Sequence, residues 1–253
     1  MNRPEIKRII NTKAKVPSER QPFVKTYSRR CAEVRKEVDM LTRLQGSEIH
    51  FLCPKMLGHS EADPGKFPLD LPREDGKESI ALSDGGYKLL TYAWEEGHSD
   101  RPMKEIMLQV AIFMAYARQK WKFTHNDLHL KNILVRPCEE KMLLSLKVGG
   151  NELRYVVQNV HVQIIDFEKS EYDWTSQPSV TDDDKKLHDL LATLRKRMQS
   201  ANCIQRSDNR GWSKFQKAWK NDPSSALDSE VFSELHPPKG PIKRAQKFSI
   251  TFN

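Results

Sequence analysis

The residues whose types and spacing could support chemistry are concentrated in one segment, FTHNDLHLKNILV, at residues 123–135. Asp127 and Asn132 lie five positions apart, directly before the apolar residues ILV. A second acidic residue, Asp166, follows the strand-like run VQII further along the chain. Carboxylate and amide oxygens at strand ends suit Mg²⁺, which shares such ligands with substrate phosphates. The sequence therefore predicts phosphoryl transfer, which needs a positioned metal, charge neutralisation and a group that orients the attacking hydroxyl.

Two motifs in these segments resemble the protein kinase superfamily. The pattern HxDxxxxN in HNDLHLKN is similar to the kinase catalytic loop, and DFE at residues 166–168 is similar to the metal-binding DFG element. Upstream, FVKTY resembles the strand that carries the phosphate-binding lysine, here Lys25. EVRKEVDMLTRL resembles the helix that follows it, with Glu37 as the partner of that lysine. The resemblance covers roughly residues 20–200.

The resemblance implies a role for each of five polar residues. Asp127 would orient the substrate hydroxyl and accept its proton, while Asn132 and Asp166 would hold Mg²⁺. Lys25 would contact the α- and β-phosphates of ATP, and an ion pair with Glu37 would keep it in place. His125 would be structural, packed beneath the loop.

The resemblance also implies further contacts to the nucleotide. YKLLTYAW, at residues 87–94, is predicted as a buried strand and is similar to the last strand of the small lobe with its hinge. Tyr92, Ala93 and Trp94 would then contact ATP from the hinge, and Lys131 would contact it from the catalytic loop.

The order of elements favours an α+β, bilobal protein-kinase-like fold. A single domain over residues 1–253 would comprise a small mixed lobe up to about residue 94 and a reduced, mainly helical lobe after it. Hydrophobic periodicity predicts a strand in FVKTY, a loop with one strand at 58–86, a hairpin around GGN and a strand in VQIIDF. The predicted helices lie at about 29–44, 102–121, 184–198 and 212–219.

Composition restricts the class of protein and its surroundings. No apolar run is long enough to span a bilayer, and four scattered cysteines favour neither a zinc site nor a disulfide framework. We therefore expect no membrane partner and a reducing intracellular compartment, either cytoplasmic or nuclear. The net charge of +8 favours acidic or nucleic-acid-associated partners, although a solvated basic surface explains it as well. The basic tail at 238–253 is predicted to be a mobile end, with a docking strap as the alternative.

Four features depart from the kinase pattern. No glycine precedes Gly46, so the usual glycine-rich phosphate loop is missing from residues 1–20. Asn126 replaces the arginine common before the catalytic aspartate, and Glu168 replaces the DFG glycine. No APE motif follows, and a buried aspartate that braces the catalytic loop is expected at Asp184 or Asp189.

The loop interior leaves the substrate class open. Serine/threonine kinases usually carry lysine two residues after the catalytic aspartate, where this chain has His129. The long span between the two motifs resembles haspin and the divergent serine/threonine kinases of large DNA viruses, which would place the protein in a host cell or virion. We therefore predict a serine/threonine protein kinase that uses ATP and Mg²⁺. A small-molecule phosphotransferase of the aminoglycoside or choline kinase type, and a pseudokinase binding module with a nucleic-acid role, are the alternatives.

Overall fold

The described residues up to Leu82 form an antiparallel sheet packed on one helix. The computed structural model describes residues 5–8, 22–27, 32–91, 100–172, 182–200, 209–240, 242 and 244–252. The sheet contains β1 (Glu5–Arg8), β2 (Phe23–Tyr27), β3 (Met56–His59) and β4 (Glu78–Leu82), in the order β1-β2-β4-β3. The strand predicted in FVKTY is thus confirmed, and the strand expected within 58–86 is β4. It pairs with β2 in a register that places Lys25 opposite Ile80.

Helix α1 (Ala32–Gln45) carries the predicted apolar stripe, with one acidic residue on it. Val34, Met40, Leu41 and Leu44 are fully buried. Positions 34, 37, 41 and 44 are three or four residues apart and position 40 is four before 44, so all of them share one helix face. Glu37 lies on this same face and is buried with them. The helical pattern therefore positions a carboxylate inside the protein, where it requires a partner.

Helix α2 (Arg101–Trp121) passes through the centre of the second lobe. Every residue from 103 to 117 is buried, as expected for a helix that is covered on all sides. Glu105, one of the buried polar residues, accepts hydrogen bonds from the backbone N–H groups of Asn159 and Val160 at 2.9 and 3.0 Å. The predicted helix at 102–121 is confirmed.

Short strands cover α2 and lead to the polar segments. β5 (Tyr87–Lys88), β6 (Ile133–Pro137) and β9 (Val160–Ile164) form an antiparallel sheet in the order β5-β6-β9. β7 (Lys141–Val148) and β8 (Asn151–Val157) form the predicted hairpin. Gly149 and Gly150 both have positive φ at its turn, which is why the turn requires glycine.

Two further helices complete the second lobe. They are α3 (Asp182–Ser200) and α4 (Asn209–Asn221), and both predicted helices are therefore confirmed. Aromatic residues of α4 pack on Phe232, which lies in the short 3₁₀ helix Glu230–Leu235. The architecture is the α+β, bilobal one that the sequence predicts. None of the described helices has both the length and the apolar content that crossing a membrane would demand.

The prediction of a mobile basic tail is wrong for most of its residues. β10 (Ala245–Thr251) pairs in parallel with β7, and Ile250 and Phe252 are buried. The ring of Phe248 stacks on Phe51, with 4.0 Å between the ring centroids. The tail is ordered because its alternating apolar side chains find a hydrophobic surface, a tertiary contact that its basic composition conceals.

The prediction of a buried strand over residues 87–94 is also wrong. Only Tyr87–Lys88 is a strand, and a 3₁₀ helix, Leu89–Thr91, follows directly. Tyr87 is 73% exposed, so its aromatic character did not signal burial. Tyr92, Ala93 and Trp94, with the predicted lobe boundary, lie outside the described residues.

Candidate active site

Lys25 is the centre of a buried ionic cluster contributed by three parts of the chain. Its Nζ lies 2.7 Å from Oε2 of Glu37 on α1 and 2.6 Å from Oδ1 of Asp166, which follows β9. A third carboxylate, that of Glu168, lies 3.8 Å away. The Lys25 and Glu37 side chains are 9% and 1% exposed. The structure thus brings together three of the residues that the kinase resemblance names, and it adds Glu168.

The surroundings of Lys25 keep it charged. Burial by itself lowers the pKa of a lysine, but the negative charges of Glu37 and Asp166 outweigh that effect and raise the pKa of Lys25 above its usual range. Tyr27 Oη donates a hydrogen bond to the same Glu37 oxygen. Burial and the adjacent Glu37 charge raise the pKa of Tyr27 in turn, so it remains a neutral donor.

Asp166 is aimed at Lys25 by a turn that an aromatic residue anchors. Its backbone is left-handed, with φ 73° and ψ 61°. The next residue, Phe167, is fully buried against Phe113 and His125, with ring centroids 6.0 and 5.4 Å apart. Glu168 continues into the 3₁₀ helix Phe167–Lys169 and needs no positive φ, so a side chain is tolerated where kinases commonly have glycine.

The catalytic-loop segment is held from below by Asp183 of α3. Its carboxylate accepts hydrogen bonds from the backbone N–H groups of His125, at 2.5 Å, and Asn126, at 3.0 Å. The predicted candidates, Asp184 and Asp189, are therefore wrong. Helical periodicity would have identified Asp183, because residue 183 shares a helix face with the buried residues Leu187, Leu190 and Leu194.

His125 connects the two motifs. Its Nε2 lies 3.1 Å from the carbonyl oxygen of Ile165, one residue before Asp166. Burial lowers the pKa of His125 to about 4, so the ring is neutral at physiological pH. It therefore acts as a support for the segment and carries no charge in the site.

Asp127 lies at the solvent-facing side of the site, with a lysine beside one of its carboxylate oxygens and a histidine beside the other. Lys169 Nζ is 2.9 Å from Oδ2, and His129 Nε2 is 3.8 Å from Oδ1. Partial burial opposes ionisation of this carboxyl, but the hydrogen bond from Lys169 and its charge lower the pKa of Asp127 overall. Lys169 was not found from the sequence, because nothing in DFEK shows that its side chain turns back towards the other motif.

Asn132 joins the loop to the strands behind it. Its side-chain Nδ2 donates a hydrogen bond to the backbone carbonyl oxygen of Asp127 at 3.0 Å. Its backbone carbonyl oxygen accepts a hydrogen bond from the N–H of Ile165 at 3.0 Å. Since the amide nitrogen is engaged with the loop, the amide oxygen is the atom that Asn132 offers to a cation.

Part of this set of side chains lines a cavity of about 540 Å³ between the two lobes, and Asp127 is not among the lining residues. Four residues that were predicted to contact nucleotide or metal line this cavity, namely Lys25, Lys131, Asn132 and Asp166. Glu37, the predicted partner of Lys25, lines it as well. Carboxylate oxygens of Glu37, Asp166 and Glu168 lie within 4.8 Å of one another. The arrangement provides cations for phosphate oxygens next to oxygen donors suited to a hard divalent metal.

One wall of the cavity comes from residues 83–88, directly after β4. A Cβ on Gly86, which has φ 101°, would lie 2.4 Å from the carbonyl oxygen of Val135. A Cβ on Gly85 would lie 2.5 Å from Cδ1 of Leu134. Glycine at both positions lets this connection approach β6 closely. The sequence analysis did not identify this wall. The feature that could have indicated it is the turn sequence SDGG, which follows the apolar strand ESIAL.

Comparison with known proteins defines first the class and then the family. Among solved structures, "Crystal structure of Rad53 kinase domain and SCD2" is similar to this one with a TM-score of 0.51. The match has 12% sequence identity and covers 95% of this chain and 93% of that chain, so it shows the protein kinase fold. The family model described as "Haspin like kinase domain" matches residues 28–188, more than half of the sequence. The chain therefore belongs to the haspin-like kinase family.

A curated relative shares a smaller segment. The uncharacterized protein ZK177.2 of Caenorhabditis elegans is 30% identical over 83 residues, which make up 33% of this chain and 27% of that protein. The matched segment thus spans about a quarter of the relative's length.

Proposed function

We propose that the protein is a serine/threonine protein kinase that transfers the γ-phosphoryl group of ATP with the aid of Mg²⁺. Membership of the kinase family supports phosphotransfer in general. One observation supports the finer proposal: Lys25, Glu37, Asn132 and Asp166 come from separate elements and converge on one cavity. The carbonyl oxygen of Asp127 accepts a hydrogen bond from one of these residues, Asn132.

The cavity has the size and lining that a nucleotide requires. Its volume of about 540 Å³ lies within the range of small-molecule sites, roughly 300–1,000 Å³. Leu82, Leu134 and Ile165 supply apolar surface for a base, and the Lys25 ammonium supplies charge for phosphate oxygens. Because no glycine precedes Gly46, we expect Lys25 and the metal to contribute a larger share of phosphate binding than in kinases with a glycine-rich loop.

The donor set also fits Mg²⁺. Asp166 and Asn132 would hold it through a carboxylate oxygen and an amide oxygen, which are hard ligands. When bound, Mg²⁺ would neutralise charge on the phosphates of ATP. Lys25 contacts Asp166 directly in this structure, so the same carboxylate is already fixed at the phosphate side of the cavity.

Asp127 and Lys169 support transfer to an alcohol. The Asp127 carboxylate, kept ionised by Lys169, would orient the hydroxyl of an acceptor side chain and accept its proton. Serine/threonine kinases usually place a lysine next to this aspartate from within the loop. Here Lys169, 2.9 Å from Asp127, supplies that cation from the other motif, which favours serine and threonine as acceptors.

The test is transfer of labelled γ-phosphate from Mg·ATP to a mixture of proteins, followed by identification of the phosphorylated amino acids. We expect label on serine and threonine that disappears in Asp127→Ala and Asp166→Ala. Asp75→Asn, in an exposed loop of the first lobe, is the matched control and retains activity. Full activity in either site variant, label on small molecules alone, or failure of Mg·ATP to raise the melting temperature contradicts the proposal.

A further inference from the structure

A second cavity lies beside the catalytic loop, on the side that faces α3. Its volume is about 370 Å³. We call it the α3 groove, and its lining residues are Leu90, Leu128, His129, Leu130, Lys131, Lys186, Asp189, Leu190 and Thr193. Lys131 also lines the nucleotide cavity, so the two spaces meet at this side chain. A chain segment lying in the groove would therefore pass next to Asp127, whose neighbours Leu128 and His129 form one wall.

The groove has an apolar floor that reaches the surface. Leu128 and Leu190 are buried at its base, and Leu130 is partly buried. Among the described residues, Tyr87 and Leu90 are the large hydrophobic side chains that stand exposed, and they line the nucleotide cavity and the α3 groove respectively. In the α3 groove, Leu90 thus adds exposed apolar surface next to the buried floor, and an apolar side chain of a bound segment would cover it.

The charged side chains of the groove leave it positive. Lys131 and Lys186 contribute two positive charges, and Asp189 contributes one negative charge. Lys186 donates a hydrogen bond to the carbonyl oxygen of Asn126, which fixes its ammonium close to Asp127. Lys131 is exposed at the junction with the nucleotide cavity. A ligand of the groove thus meets a cation at the end nearest the site of transfer.

We propose that the α3 groove binds the acceptor segment of a protein substrate in which a glutamate or aspartate stands close to an apolar residue near the phosphorylated serine or threonine. The apolar residue covers the floor formed by Leu90, Leu128 and Leu190. The acidic residue pairs with Lys131. This inference rests on the proposed function, because it assigns the substrate class of the same site.

The first experiment is a positional peptide library with one serine or threonine acceptor and labelled γ-phosphate. The wild-type protein should favour acidic over basic residues by about fivefold or more at one position near the acceptor, as expected for one favourable and one unfavourable charge contact. Lys131→Glu should reverse that preference. Lys141→Glu makes the same charge change at an exposed position, the first residue of β7, which lines neither cavity, and it should leave the preference intact.

A binding measurement separates this inference from the proposed function. Fluorescent peptides that differ only in carrying acidic or basic residues are titrated onto the Asp127→Asn variant. The measurement reports binding alone, so it does not require the variant to transfer phosphate. Acidic peptides that bind more tightly, and lose that advantage when Lys131→Glu is added, support the groove even if the wild-type protein labels no peptide. A wild-type protein that labels no peptide would overturn the proposed function, but it would leave the groove assignment in place.

Three results would overturn the groove assignment. One is phosphorylation with equal or greater preference for basic peptides. Another is a Lys131→Glu variant with unchanged selectivity. The third is displacement of bound peptide by single-stranded RNA that binds more tightly than any acidic peptide, because the positive groove would then serve nucleic acid.

Discussion

The site contains two lysine–aspartate pairs of similar length and opposite surroundings. Lys25 and Asp166 lie 2.6 Å apart in the cleft between the lobes, and Lys169 and Asp127 lie 2.9 Å apart at its edge. The Lys25 side chain is 9% exposed, whereas that of Lys169 is 57% exposed. Distance therefore says little about what each pair contributes.

Burial decides the difference between the pairs. Lys25 has lost most of its hydration, so its carboxylate neighbours must replace water, and removing it would leave Glu37 buried without its cation. Lys169 remains hydrated, and exposed pairs of this kind contribute about 0–1 kcal/mol to stability. The first pair is thus part of the fold as well as the chemistry, whereas the second acts on the chemistry alone.

The largest expected effect comes from Lys25→Met. The substitution keeps most of the side-chain volume but leaves the buried Glu37 carboxylate without its cation. We expect phosphotransfer to be abolished and the free energy of unfolding, measured in urea, to fall by about 3 kcal/mol. Adding Glu37→Gln should restore part of the stability but none of the activity. Unchanged stability in Lys25→Met would show that the two pairs do not differ as proposed.

A smaller loss of stability is expected for Asp183→Ala. This substitution tests a carboxylate that is buried, as Glu37 is, but that pairs with backbone N–H groups. Asp183 accepts hydrogen bonds from the backbone N–H groups of His125 and Asn126, so its removal leaves buried donors without that acceptor. We expect the free energy of unfolding to fall by about 2 kcal/mol and kcat to fall with it. Asp189→Ala, on an exposed face of the same helix, is the control and should change stability little. If the two substitutions lowered the stability equally, Asp183 could not be distinguished from Asp189 as the residue that supports the catalytic loop.

Gly86→Ala tests the cavity wall without changing any charge. The added Cβ would meet the Val135 carbonyl at 2.4 Å in a backbone with φ 101°, so we expect about 1–3 kcal/mol of destabilisation and weaker nucleotide binding by calorimetry. Gly76→Ala is the control, because Gly76 also has positive φ but has no atom within 4 Å of an added Cβ. If both variants bind nucleotide normally, residues 83–88 do not form the nucleotide wall.

The sequence predicted the parts of the site that motifs encode locally. Lys25, Glu37, Asn132 and Asp166 could be named because the short motifs that contain them resemble those of protein kinases, and the structure gathers them at one cavity. The brace at Asp183 was missed, although the period of α3 distinguishes it from Asp189.

Contacts between distant segments could not be predicted in the same way. The pairing of Lys169 with Asp127 spans 42 residues and depends on how the turn after β9 folds back. The tail strand β10 and the wall at residues 83–88 likewise depend on surfaces that exist only once the core has formed. Local composition was misleading there, because basic residues suggested a mobile end and aromatic residues at 87–94 suggested a buried strand.

The smallest effect on stability is expected for Lys169→Met, and it isolates the chemistry of the exposed pair. The free energy of unfolding should change by less than about 0.5 kcal/mol, because both side chains remain accessible to water. The pH dependence of kcat should change instead. Lys169 lowers the pKa of Asp127, and activity that needs the ionised carboxylate is complete above that pKa and is lost as the pH falls through it.

Without Lys169 the pKa of Asp127 rises, so the acid limb of the kcat profile should move to higher pH. Lys169→Arg keeps a positive charge beside Asp127 and should retain most of the wild-type profile, whereas Lys185→Met on the exposed surface of α3 should not move it. An acid limb that is identical in Lys169→Met and wild type would show that Lys169 does not set the ionisation of Asp127. The exposed pair would then be a surface contact without a catalytic role, and the contrast with the buried pair would be one of function as well as stability.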